Sequence, residues 1–203
     1  MDSVIHLVDV LAVAVFAISG ALAAAEKKLD ILGFILFGIV TGIGGGTARD
    51  LLLGTDTVFW VSDNLYLWMC IGAAVATWFL APLLTSLHRV LLWADAVGLA
   101  LFCVLGTIKA QAWGASPLVA VVMGMMTATF GSVIRDTLLN QEPVLLGPEI
   151  YVTAALLGST GYIVLDALPA TAALAMPLAI ALAFMLRAAA ILFGLRLPKY
   201  GKR

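Results

Sequence analysis

Charge is what this chain has least of. Only 11% of its 203 residues are charged while 63% are apolar, whereas a soluble domain carries about 25% charged and about 45–50% apolar residues. So few charges cannot cover a water-facing surface, and a mean hydropathy of +1.11 excludes a soluble globular domain. Cysteine is nearly absent too. Cys70 and Cys103 both lie inside apolar stretches, where a thiol acts as a small hydrophobe, so neither a disulfide framework nor a metal motif is legible. The two histidines, His6 and His88, sit at stretch ends without ligand spacing, so no structural metal is expected. No Lys/Arg cluster precedes the C-terminus and the net charge is −1, which argues against nucleic acid as a partner. No nucleophile with a base, phosphate-binding loop or metal-ligand cluster is present, so an enzyme is not expected, and no cofactor.

What is present is long apolar runs. They cover Val4 to Ala25, Ile31 to Leu53, Leu65 to Leu87, Val90 to Ala110, Pro117 to Leu139, Glu149 to Leu165 and Ala170 to Leu195, most close to the roughly 20 residues that cross a hydrocarbon core. The pattern predicts an all-α integral membrane protein with seven spans and a single membrane domain over 1–203. The first run has no positive segment ahead of it and is longer than a signal-peptide core, so it reads as a mature helix. An outside N-terminus places Lys27, Lys28, Arg89, Arg196, Lys199, Lys202 and Arg203 on the cytoplasmic side of a plasma (inner) membrane, with Lys109 the exception. The outer loops then carry Asp56 and Asp63, expected at a cation-gathering mouth.

An internal repeat organises the chain. An offset of 86 residues (Arg49 to Arg135) aligns Asp9 with Asp95, Phe16 with Phe102, Gly20 with Gly106, Gly38 with Gly124, Thr41 with Thr127, Gly45 with Gly131, Asp50 with Asp136 and Gly72 with Gly158. Repeat one covers about 4–87, repeat two about 90–165, and an extra helix about 170–195. Each repeat holds three spans, so the second copy must cross in the reverse sense, as in many transporters whose solute path lies between inverted halves.

Spans two and five hold the informative segments. Thr41-Gly42-Ile43-Gly44-Gly45-Gly46-Thr47-Ala48-Arg49-Asp50 is answered by Thr127-Ala128-Thr129-Phe130-Gly131-Ser132-Val133-Ile134-Arg135-Asp136. Consecutive glycines each cost about 1 kcal/mol relative to alanine in a helix, so a break or kink is expected, freeing carbonyls to replace part of a cation's hydration shell. Close helix packing is the other reading, because Gly38, Gly42 and Gly46 recur every four residues. Packing does not by itself call for Gly44 and Gly45.

Buried charges need partners. Adjacent helix residues do not face one another, so Arg49 is not expected to pair with Asp50, nor Arg135 with Asp136. Depth in the bilayer suggests Asp9 with Arg49 and Asp95 with Arg135, leaving Asp50 and Asp136 freer to face water or the ion path. Arg187 is expected to snorkel to the interface. Trp60, Tyr66, Trp68, Trp93, Trp113 and Tyr151 read as an aromatic belt.

The paired segments Gly44-Gly45-Gly46-Thr47-Ala48-Arg49-Asp50 and Gly131-Ser132-Val133-Ile134-Arg135-Asp136, within seven spans, resemble the prokaryotic branch of the trimeric intracellular cation channel (TRIC) family. The resemblance implies a homotrimer with one pore per subunit, lined by kinked second and fifth helices and passing monovalent cations, usually potassium. Thr41, Thr127 and Ser132 add hydroxyls near the expected kinks. Two other functions stay open: a secondary transporter of a small amino acid such as glycine, which an inverted repeat permits equally, and an anion pore if Arg49 and Arg135 are unpaired.

Overall fold

The computed structural model describes residues 2–198 and is helical almost throughout. Lys199, Lys202 and Arg203 of the basic tail lie outside the described residues. The helices are α1 (Asp2–Glu26), α2 (Ile31–Leu53), the one-turn α3 (Phe59–Ser62), α4 (Leu65–Leu80), α5 (Leu87–Ala112), α6 (Pro117–Leu138), α7 (Val152–Ala167) and α8 (Ala175–Phe193). Sequence chemistry sets several boundaries. The Asp30 carboxylate accepts the Gly33 N–H at 2.8 Å and caps α2, Gly54 ends it at φ 66°, and Pro117 opens α6 where its missing N–H costs nothing. Pro82 cannot continue the α4 ladder, so that helix gives way to a 3-10 turn at Ala81–Leu83 and stops short of the expected Leu87.

Among the described residues, six helices are long and apolar enough to span a membrane. The seventh expected span is the shorter α7, 16 residues or about 24 Å of helix. Chain that the hydropathy pattern assigned to its start, Glu149 to Tyr151, belongs to an irregular linker instead.

Helices α1, α2 and α4 pack together, as do α5, α6 and α7, while α1 meets α5, α2 meets α6, and α8 lies against α7 and α5. Repeat equivalents touch one another where the halves join. The Phe16 and Phe102 rings stack with centroids 5.1 Å apart. A Cβ on Gly45 would overlap the Thr127 carbonyl oxygen, and a Cβ on Gly131 would overlap that of Thr41. The α2–α6 crossing is therefore a reciprocal backbone contact that only glycine allows.

Both α2 and α6 run as continuous α-helices through their glycines, so neither glycine segment ends its helix. Gly45 is explained by the crossing. Gly42 faces Cys70 and Val13, Gly46 lies under the Phe59 ring, and Gly44 meets Ile134 and Gly131. Close approach accounts for Gly42, Gly45 and Gly46, whereas at Gly44 a Cβ would meet little beyond the tip of Ile134.

Candidate functional site

The buried charges gather in two clusters, one at the near end of the bundle where α1 starts and one at the far end where it finishes. At the near end, Arg49 donates to Asp50 Oδ1 from Nη2 at 2.6 Å and from Nε at 2.8 Å. Asp50 Oδ2 accepts the Phe59 N–H at 2.9 Å, so the carboxylate also holds the chain that follows α2. The guanidinium lies 5.7 Å from the Phe59 ring centroid. Trp60 Nε1 donates to Thr47 at 2.9 Å and pins the same segment.

Asp9 does not reach Arg49. It is buried and accepts from Lys109 Nζ at 2.5 Å and from Tyr66 at 2.5 Å. The expected Asp9–Arg49 pair is replaced because Lys109 of α5 reaches Asp9, while Phe59 fixes Asp50 so that its free oxygen turns to Arg49. Adjacency on the helix did not prevent the pairing. An arginine stem is long enough to curl back, and a guanidinium 2% exposed must find a carboxylate or remain unpaired in low dielectric.

The far end keeps the expected pair and adds the unexpected one. Arg135 donates to Asp95 Oδ1 at 3.1 Å and to Asp136 Oδ1 at 2.8 Å, and to Ser19 Oγ at 2.7 Å. Asp136 Oδ2 accepts the Val144 N–H at 3.4 Å, repeating the way Asp50 holds its loop. The asymmetry between ends has a local cause: the position equivalent to Lys109 in the first repeat is Ala23, so no lysine competes with Arg135 for Asp95. Asp50 and Asp136 are each paired with the neighbouring arginine, and each also lines a cavity at its end of the bundle.

Arg187 also departs from expectation. It does not snorkel: it is 2% exposed, donates to Glu149 Oε2 at 2.7 Å and to the Ile150 carbonyl at 3.4 Å, and sits 5.1 Å from the Tyr151 ring. Tyr151 in turn hydrogen-bonds Ser132 at 3.0 Å. Tyr66 and Tyr151 are thus core residues rather than belt residues, whereas Trp68 is exposed as a belt residue should be. Sequence reading missed Lys109, Glu149 and Phe59. A lysine at the depth of Asp9 was the available signal for the first.

Two cavities open onto these clusters. The near one, about 290 Å3, is lined by Arg49, Asp50, Thr55, Thr57, Lys109 and Trp113, among others. The far one, about 200 Å3, is lined by Glu26, Arg135, Asp136, Glu142 and Glu149 with His88. Acid is concentrated at the far end. Asp56 is exposed between Thr55 and Thr57, and Asp63 is tied to the Leu65 N–H at 2.9 Å; neither lines the near cavity. Between the cavities stands the α2–α6 crossing. Arg49 and Arg135 lie about 12 helical residues apart along it, or about 18 Å. The Thr41 hydroxyl at the crossing is buried without a partner among the described residues, whereas Thr127 donates to the Met123 carbonyl at 2.6 Å.

Such an arrangement defines a class: a multi-span helical membrane protein with charge-lined cavities at both ends of a glycine crossing. Comparison with known proteins narrows it. The sequence pattern of the family described as Glycine transporter matches twice, over residues 6–82 and 92–167. A UPF0126 inner membrane protein of Escherichia coli, YadS, is 38% identical over 97% of this chain and 96% of its own. A UPF0126 membrane protein of Vibrio cholerae is 36% identical over 98% of this chain and 83% of its own. Among solved structures, the TRIC trimeric intracellular cation channel orthologue from Rhodobacter sphaeroides superposes with a TM-score of 0.91 at 49% identity, covering 95% of this chain and all of that one. A prokaryotic TRIC channel determined in 0.5 M KCl gives 0.89 at 30% identity, covering 97% of this chain and 100% of that one. This chain belongs to the TRIC family, within its glycine-transporter and UPF0126 grouping.

Proposed function

We propose that this chain is a passive channel for monovalent cations, potassium foremost, with one path in each subunit of a homotrimer. The observation that carries the reading is the superposition on the Rhodobacter TRIC cation channel at 49% identity over nearly the whole chain. The path runs from the near cavity along the α2–α6 crossing to the far cavity. Thr41, Gly44, Gly45 and Gly46 would line it from one side, and Thr127, Gly131 and Ser132 from the other. Arg49 and Arg135 are each paired with carboxylate, which removes the repulsion that an unpaired arginine would oppose to a cation and disfavours an anion pore. The crossing is packed backbone to backbone, so conduction requires α2 and α6 to part or slide, and glycine contacts let helices slide without interlocking side chains.

The reading carries its architecture with it: seven crossings in an inner membrane, two inverted three-helix units plus α8, and an outside N-terminus. The near end then faces out and the far end faces the cytoplasm.

Recording purified protein in a planar bilayer under asymmetric KCl tests the function. Stepwise currents reversing near the potassium equilibrium potential are expected. Reversal near the chloride potential would overturn the cation reading. Saturable, ion-coupled glycine uptake without current steps would favour a secondary transporter, the second reading, which the name of the matching family pattern supports.

A further inference from the structure

A cavity of about 520 Å3, larger than either vestibule, lies apart from both clusters at the far end, between the end of α1, the start of α2 and the end of α4. It exists because Pro82 ends α4 early. Leu29, Phe34, Trp78, Phe79 and Leu87 wall it, and Lys28 is the one charged side chain on it. Trp78 packs edge-on against Phe34 with centroids 4.8 Å apart and forms the inner wall, while Phe79 is 68% exposed on the outer side.

The mouth is cationic. Lys28 lines it and is exposed, as are its chain neighbour Lys27 and, two residues beyond the lining Leu87, Arg89, and among the described residues no carboxylate lies within ion-pair distance of any of the three. The nearby acids are committed elsewhere: Glu26 lies 3.3 Å from His88 and Asp30 caps α2. A polar solute would find hydrogen-bonding groups only at this end, leaving the aromatic wall unmatched. A second copy of the chain would have to place an apolar side chain beneath unpaired lysines. The occupant that satisfies both ends is a hydrocarbon chain carrying a phosphate.

We propose that this groove binds one anionic glycerophospholipid, its acyl chain against Phe34, Trp78 and Phe79 and its phosphate at Lys28 and Lys27. The site is independent of the channel reading. It is tested by Trp78 fluorescence with the full chain reconstituted in vesicles of brominated phosphatidylglycerol or brominated phosphatidylcholine, the Trp78→Phe variant supplying the emission to subtract. The Trp78 component should be quenched by both, with an apparent preference for phosphatidylglycerol of about fivefold per engaged lysine. Lys27→Gln/Lys28→Gln should abolish the preference while quenching persists, which also shows that the variant remains folded. Equal quenching by the two lipids in the unmodified protein would overturn the proposal. Absence of quenching by either would also overturn it and would mean that another copy of the chain, or closure of the groove, covers Trp78.

Discussion

Substituting alanine for Gly45 sets two magnitudes against each other. Within a helix, alanine is favoured over glycine by about 1 kcal/mol. At this position, however, the new methyl would overlap the Thr127 carbonyl oxygen, which is held in the ladder of α6 and cannot rotate aside. Overpacking of this kind costs about 1–3 kcal/mol, and backbone on backbone belongs at the upper end, so a net loss of about 2 kcal/mol is expected. For a chain of this size, 1 kcal/mol moves Tm by about 2–4 °C. Gly45→Ala should therefore melt about 4–8 °C below the unmodified protein in detergent. Gly131→Ala meets Thr41 in the mirror contact and should cost as much. The double variant should cost less than the sum, because one separation of α2 from α6 relieves both overlaps. Gly44 supplies the discriminating control: its Cβ would meet only the Ile134 side-chain tip at 3.3 Å and the Gly131 Cα at 3.5 Å, so alanine there should be nearly neutral. At Gly72, with nothing within 4 Å, alanine should stabilise. A Gly45→Ala protein as stable as Gly72→Ala would refute the crossing, and equal sensitivity at Gly44 and Gly45 would restore the idea of a backbone break.

Three further outcomes follow from the charge clusters. Asp95→Asn and Arg135→Gln should each cost about 3–5 kcal/mol in thermal unfolding and be strongly non-additive together; additive losses would contradict the pair. A cycle on Asp9 and Arg49 should show little coupling, whereas Asp9 with Lys109 should couple clearly, and the reverse order would contradict the observed partners. Glu142→Gln, exposed at the far cavity, should lower current measured from that side at 0.01 M salt but not at 1 M, because the screening length falls from about 30 Å to about 3 Å; a loss that persists at high salt would point to direct ion coordination.

The amino-acid sequence by itself determined the class of protein. Hydropathy and the scarcity of charge specify a helical membrane protein, since unpaired backbone is intolerable in hydrocarbon. The spacing of Gly45 and Arg49 against Gly131 and Arg135 exposed the repeat, because glycine and charge recur by chance only rarely in so apolar a chain. The pair Asp95–Arg135 was also legible, from depth alone. What only the tertiary structure decided was who answers whom. Depth could not separate Arg49 from Lys109 as the partner of Asp9, because the two cations lie at one level on different helices and side-chain reach chooses between them. Adjacency rules misjudged Arg49–Asp50 because they describe exposed pairs on isolated helices, whereas here the Phe59 N–H fixes the carboxylate. The same limit applied to Gly45. Local propensity reads a glycine run as weakness in a helix, and only the position of Thr127 on another helix shows that the missing side chain is the space into which α6 fits.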